Sequence, residues 1–270
     1  MSDPAWLHVT RGEAPLVVSI PHTGVDLVGL EERFNSPWLA RKDADWRIED
    51  LYDFVRGLDA TIIRTTISRA VIDVNRDPSG ASLYPGSATT ELCPTTTFDG
   101  EPLYLTGRAP SDGEIEERRL LFFQPYHSAL KGEIARLRGR FRRVALYDCH
   151  SIRSRIPRLF AGELPAFNLG TNSGASADPA LISAVAEILR ASGQSFIVDG
   201  RFKGGWITRS LGAPAAGVNA LQMELACRAY LSEPAVVGPQ NWPAPYEEAR
   251  AAAARAILRD AFSAILRWTN

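Results

Sequence analysis

The sequence predicts one α/β domain built on a mostly parallel or mixed sheet. Three observations lead there. Short apolar, β-branched runs read as buried strands, and longer segments of helical period separate them. No internal repeat, linker or low-complexity stretch divides the 270 residues, a length within the range of one such domain, so a single domain over 1–270 is expected.

Taken in order, "PLVVSIPH" (Pro15 to His22) is a continuous apolar run closed by Pro21, hence a buried strand that runs into a loop. "DADWRIEDLYDFVRGLDA" carries Trp46, Leu51, Phe54, Val55 and Leu58 at helix-like intervals, with Gly57 and Asp59 as stop signals. "ATIIRTTISRAVIDVNRDPSG" gives two β-branched runs, ended by Pro78 and Gly80. From Asp77 to about Pro110 the chain is rich in Pro, Gly, Thr and Ser without a sustained period. A loop of that length reads as a lid or a small hairpin excursion, with a plain surface insertion as the alternative.

"DGEIEERRLLFFQPYHSALKGEIARLRGRF" is helical, broken or restarted at Pro125, and is followed by the strand "RVALYD". "DPALISAVAEILRASG" is a further helix, "SFIVDG" a strand and "VNALQMELA" another. The tail "PYEEARAAAARAILRDAFSAILRW" is a long Ala-rich helix whose apolar stripe is core packing.

Composition excludes several classes of function. Hydrophobic residues make up 45% and charged residues 23%, ordinary for a soluble protein, and a net charge of -1 gives no general attraction to nucleic acid or an anionic membrane. Cys93, Cys149 and Cys227 form no framework or close-set zinc motif, and their odd number fits a reducing cytosol. The start "MSDPAWLHVTRGEAP" lacks a leader pattern, and no apolar run approaches the roughly 20 residues needed to span a bilayer. A soluble cytoplasmic protein is expected; the sequence leaves its oligomeric state open, and a homo-oligomer is compatible with it.

The chemistry gathers at strand ends. In "RVALYDCHS", Val144, Leu146, Asp148 and His150 share one face of an extended chain, and Cys149 points to the other, which argues against a Cys149–His150 nucleophile pair. An acid two residues before a histidine can accept the imidazole N–H that does not ligate, orienting the ring. His22 also follows a strand directly, so two of only four histidines end apolar strands. Two imidazoles and one carboxylate would supply a catalytic zinc site with a position left open. Asp26, Asp43, Asp45 and Glu49 are the candidates for that carboxylate.

"ALQMELA" puts Gln222 and Glu224 on one face, where Glu224 could act as a proton carrier or merely form an ion pair. Asn75 and Arg76 stand where a strand yields to a turn. The Arg76 fork suits a carboxylate or a polarised carbonyl, its alternative being an ion pair with Asp73 or Asp77. "GRFKGGWITRS" adds Lys203 and Arg209 around Gly204 and Gly205, without the Gly-Lys-Ser/Thr ending of a phosphate loop.

The segments "SIPHTG", "DADW", "SRAVIDVNRDPSG", "YDCHSI", "FKGGWITR" and "LQMEL" occur in this order, and together they resemble the N-formylglutamate amidohydrolase family from about residue 15 to 230. The resemblance implies an α/β sandwich with a mixed sheet, a distant branch of the zinc carboxypeptidase and aspartoacylase fold. It implies hydrolysis of N-formyl-L-glutamate to formate and L-glutamate, the closing step of one histidine degradation route. It points to His22, Asp45 and His150 as ligands of Zn2+ or another divalent transition metal, although Val25 stands where the wider fold usually has a ligating Glu. It further implies Glu224 as general base, Asn75 and Arg76 on the substrate carboxylate and amide oxygen, and Lys203 and Arg209 on the remaining carboxylate. Two other readings stay open: a metal-dependent amidohydrolase of another N-acyl acidic amino acid, and a metal-free binding protein for acidic amino acids.

Overall fold

A computed structural model describes residues 4–86 and 88–269; residues 1–3 of the N-terminal stretch read above, Ser87 within the expected 77–110 loop, and Asn270 lie outside the described residues. The strands are β1 (Leu7–Thr10), β2 (Leu16–Ile20), β3 (Thr61–Thr65), β4 (Val144–Ile152), β5 (Phe167–Gly170), β6 (Phe196–Val198) and β7 (Val218–Ala226). The α-helices are α1 (Leu39–Lys42), α2 (Ile48–Leu51), α3 (Asp112–Arg118), α4 (Gln124–Arg138), α5 (Pro179–Ala191), α6 (Trp206–Leu211) and α7 (Glu248–Thr269).

The strands form one seven-stranded sheet in the order β1-β3-β2-β4-β7-β5-β6. β3, β2, β4 and β7 run parallel through its centre, whereas β1 and β5 pair antiparallel with β3 and β7. A mixed, mostly parallel sheet is thus what forms, as the alternation of apolar strands and helices predicts. The central strands β2, β4 and β7 are buried along their whole length. Their alternate residues feed two cores: Leu16, Tyr147, Met223 and Leu225 pack with α5 and α7, and Val17, Leu146 and Ala220 pack with α4. No helix among the described residues is long and apolar enough to cross a membrane.

Several segments depart from the sequence reading. The helix expected over 43–60 is two short pieces, α2 and a 3-10 turn at Asp53–Leu58, entered through Arg47 and left through Asp59, both left-handed. The second β-branched run is not a strand: Ser68 to Arg76 makes successive turns that bury Val71, Ile72 and Val74 and send Arg69, Asp73 and Asn75 towards the strand ends. β1, β5 and α6 are too short to carry a periodic signal. Pro125 does not break the long helix, because a π-turn at Arg119–Phe123 links α3 to α4 and the amide of Gln124 reaches back five residues to Arg119. That turn absorbs the missing proline N–H without ending the helix.

Candidate metal centre and its cleft

Parallel strands gather their carboxyl ends on one edge of the sheet, the usual place for a ligand crevice. In-register pairing of β4 with β7 sets Asp148 beside Gln222 and His150 beside Glu224, all on the face that packs towards α4. β2 lies on the other side of β4, Ser19 opposite Asp148, so His22 emerges at the level of His150. The turn between α1 and α2 then adds Asp45, whose backbone N–H donates to the His22 carbonyl at 2.9 Å.

The three side chains meet. The Nδ1 atoms of His22 and His150 face one another at 3.1 Å, and Asp45 Oδ2 lies 3.1 Å from His150 Nδ1 and 3.7 Å from His22 Nδ1. All three residues are buried, with their ligand atoms within 4.8 Å of one another. Two nitrogens at about 2.05 Å from a tetrahedral ion lie about 3.3 Å apart, so this donor set fits a divalent transition metal. The far side of each imidazole is already occupied. His22 Nε2 donates to Asp73 Oδ1 at 2.7 Å and His150 Nε2 to Asp148 Oδ2 at 2.9 Å, the carboxylate backing that fixes a ligating ring.

Arg69 ties the carboxylates together, reaching Asp73 Oδ2 at 2.6 Å and Asp45 Oδ1 at 3.4 Å. Burial alone would raise the Asp45 carboxyl, but hydrogen bonds to His150 and His22 outweigh it and hold it well below the carboxylate range. Asp73 is likewise held low against its burial by the charges of Arg76, His22 and Arg69. His150 goes the other way: burial would lower it, and the Asp148 and Asp45 carboxylates raise it well above an ordinary histidine. Among the described residues Glu224 forms no ion pair. Burial, helped by the Asp45 charge, pushes it up to about 8 against the pull of His150. It accepts one long hydrogen bond, from Gln222 Nε2 at 3.4 Å.

Of the carboxylates considered for the third ligand, only Asp45 joins the imidazoles. Asp26 is exposed and accepts the Val28 amide; Glu49 accepts from Thr23 and Arg64; Asp43 turns away to the Phe98 amide at 2.6 Å and to Arg153. Cys149 belongs to the core on the opposite face of the sheet, where burial raises its thiol far above the reactive range.

A cleft opens onto His22, His150 and Glu224, and its wall includes Arg69, Asn75, Arg76, Tyr84, Phe98, Arg201 and Phe202. Asn75 is at the wall with its amide committed: Nδ2 donates to Asp148 Oδ2 at 3.1 Å, and Oδ1 accepts from the Ile207 amide at 2.8 Å. Gly205 permits this close approach, since a Cβ there would stand 2.4 Å from Asn75 Nδ2. Arg76 is held by the Thr90 carbonyl and hydroxyl and lies 3.5 Å from Asp73.

Lys203 and Arg209 do not line the cleft. Lys203 is exposed, and Arg209 donates to the carbonyls of Gly204 and Leu83 behind Tyr84. Sequence reasoning missed Arg69, Asp73 as the partner of His22, and Arg201. The first two were hidden in a run read as a strand, and nothing local marks Arg201 among the basic residues of its loop.

A family model described as N-formylglutamate amidohydrolase matches residues 14–231. The chain is 43% identical over 264 residues to an N-formylglutamate deformylase of Pseudomonas putida, covering 96% of this chain and 94% of that protein. It is also 43% identical over 268 residues to one of Pseudomonas aeruginosa, covering 97% and 96%. Among solved structures it is similar to an N-formylglutamate amidohydrolase from Ralstonia eutropha JMP134, with a TM-score of 0.79 at 24% identity over 98% of both chains. A gene product of Agrobacterium tumefaciens has the same fold, with a TM-score of 0.71 at 15% identity, covering 98% of this chain and 96% of that one.

Proposed function

The chain belongs to the N-formylglutamate amidohydrolase family, and from that premise we propose that it is a metal-dependent hydrolase cleaving N-formyl-L-glutamate to formate and L-glutamate. The observation that carries the metal dependence is the convergence of His22 Nδ1, His150 Nδ1 and Asp45 Oδ2, each ring backed by its own carboxylate, with Glu224 on the neighbouring strand. The donor set suits Zn2+ and also other divalent transition ions. When bound, such an ion supplies Lewis acidity, polarising the formyl oxygen and lowering the pKa of a water.

The residues of the chain do the rest. Glu224, buried beside His150, removes a proton from the attacking water and delivers it to the departing amide nitrogen, so water and amide become formate and a free amine. Arg76 stabilises the negative charge that develops on the formyl oxygen, a contact often worth several kcal/mol. Asn75 acts indirectly, holding Asp148 and the turn at Gly205. The same reading sets the products at the close of one histidine degradation route.

Metal content and deformylation measured on one purified sample test this. Roughly one divalent ion per chain, turnover of N-formyl-L-glutamate, and loss of both with a chelator are expected. Full turnover in a preparation stripped of metal would sink the proposal.

A further inference from the structure

Arg201 stands out in the wall of the cleft as a cation outside the ion pairs of the metal centre. Arg69 pairs with Asp45 and Asp73, and Arg76 lies near Asp73, but Arg201 has no carboxylate at ion-pair distance among the described residues. Its position is nevertheless fixed. Nε donates to the Leu159 carbonyl at 2.8 Å and Nη2 to the Ala88 carbonyl at 2.9 Å, while the rings of Tyr84 and Phe202 each lie 5.2 Å from the guanidinium carbon. Tyr84 is itself fastened, donating to the Gly204 carbonyl and accepting the Lys203 amide, both at 3.0 Å. Two nitrogens are thus occupied by backbone and the aromatic contacts steady the group, which leaves Nη1 without a partner among the described residues.

A half-buried guanidinium that lines a cleft, held rigid and unpaired, is built to meet an anion brought in from outside. Glutamate derivatives carry two carboxylates, and the groups at the metal end of the cleft are already engaged with one another. We propose that Arg201 takes the side-chain carboxylate of the substrate and thereby selects an acidic N-formyl amino acid over neutral ones. This rests on the deformylase reading for where the formyl group lies. Arg201 hydrogen-bonds none of the ligand-bearing side chains and is anchored instead to Leu159 and Ala88, so it is a specificity residue and not part of the hydrolytic machinery.

The test compares wild type with Arg201→Met and Arg201→Lys on N-formyl-L-glutamate and on N-formyl-L-glutamine, its neutral isostere. Arg201→Met is expected to lower kcat/KM for the acid about 100-fold, chiefly through KM, and to leave that for the amide within about threefold. Retained amide hydrolysis also reports an intact fold, and Arg201→Lys should recover part of the loss. Equal losses on both substrates, or none on either, overturn the assignment. Binding of L-glutamate and L-glutamine to the metal-loaded protein, by calorimetry, separates this from the deformylase reading. If wild type hydrolyses no formyl amino acid, that reading falls, and loss of L-glutamate binding in Arg201→Met still upholds Arg201. Unchanged or absent L-glutamate binding overturns it.

Discussion

Burial lifts the Glu224 carboxyl to about 8, against the pull of His150 and Arg69, close enough to neutrality for it both to take a proton and to hand it back. Glu224→Gln preserves shape and should lower kcat by about 100-fold or more while metal content stays at the wild-type level; undiminished turnover would remove Glu224 from the reaction. A pH effect follows in the metal-free protein. Glu224 titrates near 8 when folded and near its ordinary 4.5 when unfolded, so the stability it contributes is complete below 4.5 and lost as pH rises through 8. Urea titrations of chelated protein at pH 5 and pH 8 should therefore show wild type losing stability relative to Glu224→Gln at the higher pH. Behind the imidazoles, Asp73→Asn should weaken metal binding about 10- to 100-fold by loosening His22, read by competition with a chromogenic chelator. His22, His150 and Glu224 were legible in the sequence because each stands on or just after an apolar strand. Asp73 was named there only as a neighbour of Arg76, since nothing local says that a residue in a β-branched run faces a histidine 51 positions earlier.

At the level of elements, the site is held by segments without regular structure, and that is why they were hard to read. The short excursion around Thr96 and Pro102 is fastened by a partly buried ion cluster: Arg153 meets Asp43 at 3.2 Å and Asp99 at 2.7 Å, and Lys42 meets Asp99 at 2.6 Å. Phe98 hangs from this cluster, its amide on Asp43 and its ring 4.8 Å from the Arg69 guanidinium, which in turn touches Asp45. Arg153→Met would leave two carboxylates facing each other with reduced compensation. Removing the shared cation of such a partly buried cluster costs about 1 to 3 kcal/mol, so a comparable loss in urea denaturation is expected; a loss below about 0.5 kcal/mol would show that the cluster does not hold the excursion. Strands with strong periodic signals, β2, β4 and β7, were legible. The turns at Ser68 to Arg76 were not, because their β-branched residues serve core burial while the polar ones serve the site, and both patterns overlap in one stretch.

For the whole molecule, the alternation of strand and helix indicated a parallel or mixed sheet, but strand order depends on pairings between distant segments that no local pattern encodes. That order is what makes the centre: β4 stands between β2 and β7, so the three strands bring His22, His150 and Glu224 to one edge. The molecule is nearly neutral, yet Asp45, Asp73, Asp148 and Glu224 are all buried around the two imidazoles. With a divalent ion present, this charge is compensated, and the ion binds the folded chain alone because its ligands come from three separate regions. Linkage then requires that metal stabilise the fold, by about 4 kcal/mol when the free ion stands 1,000-fold above its Kd. For a domain of this size each kcal/mol moves Tm by about 2 to 4 °C, so chelation should lower Tm by about 10 °C. Because the imidazoles must be unprotonated to ligate, and the Asp148 and Asp45 carboxylates hold the proton on His150 more tightly than on an ordinary histidine, the step should shrink steadily as pH falls. In His22→Asn the chelator should produce almost no step at any pH, since the ion has lost a ligand. A chelator shift equal to that of wild type in this variant would put the stabilising ion elsewhere in the molecule.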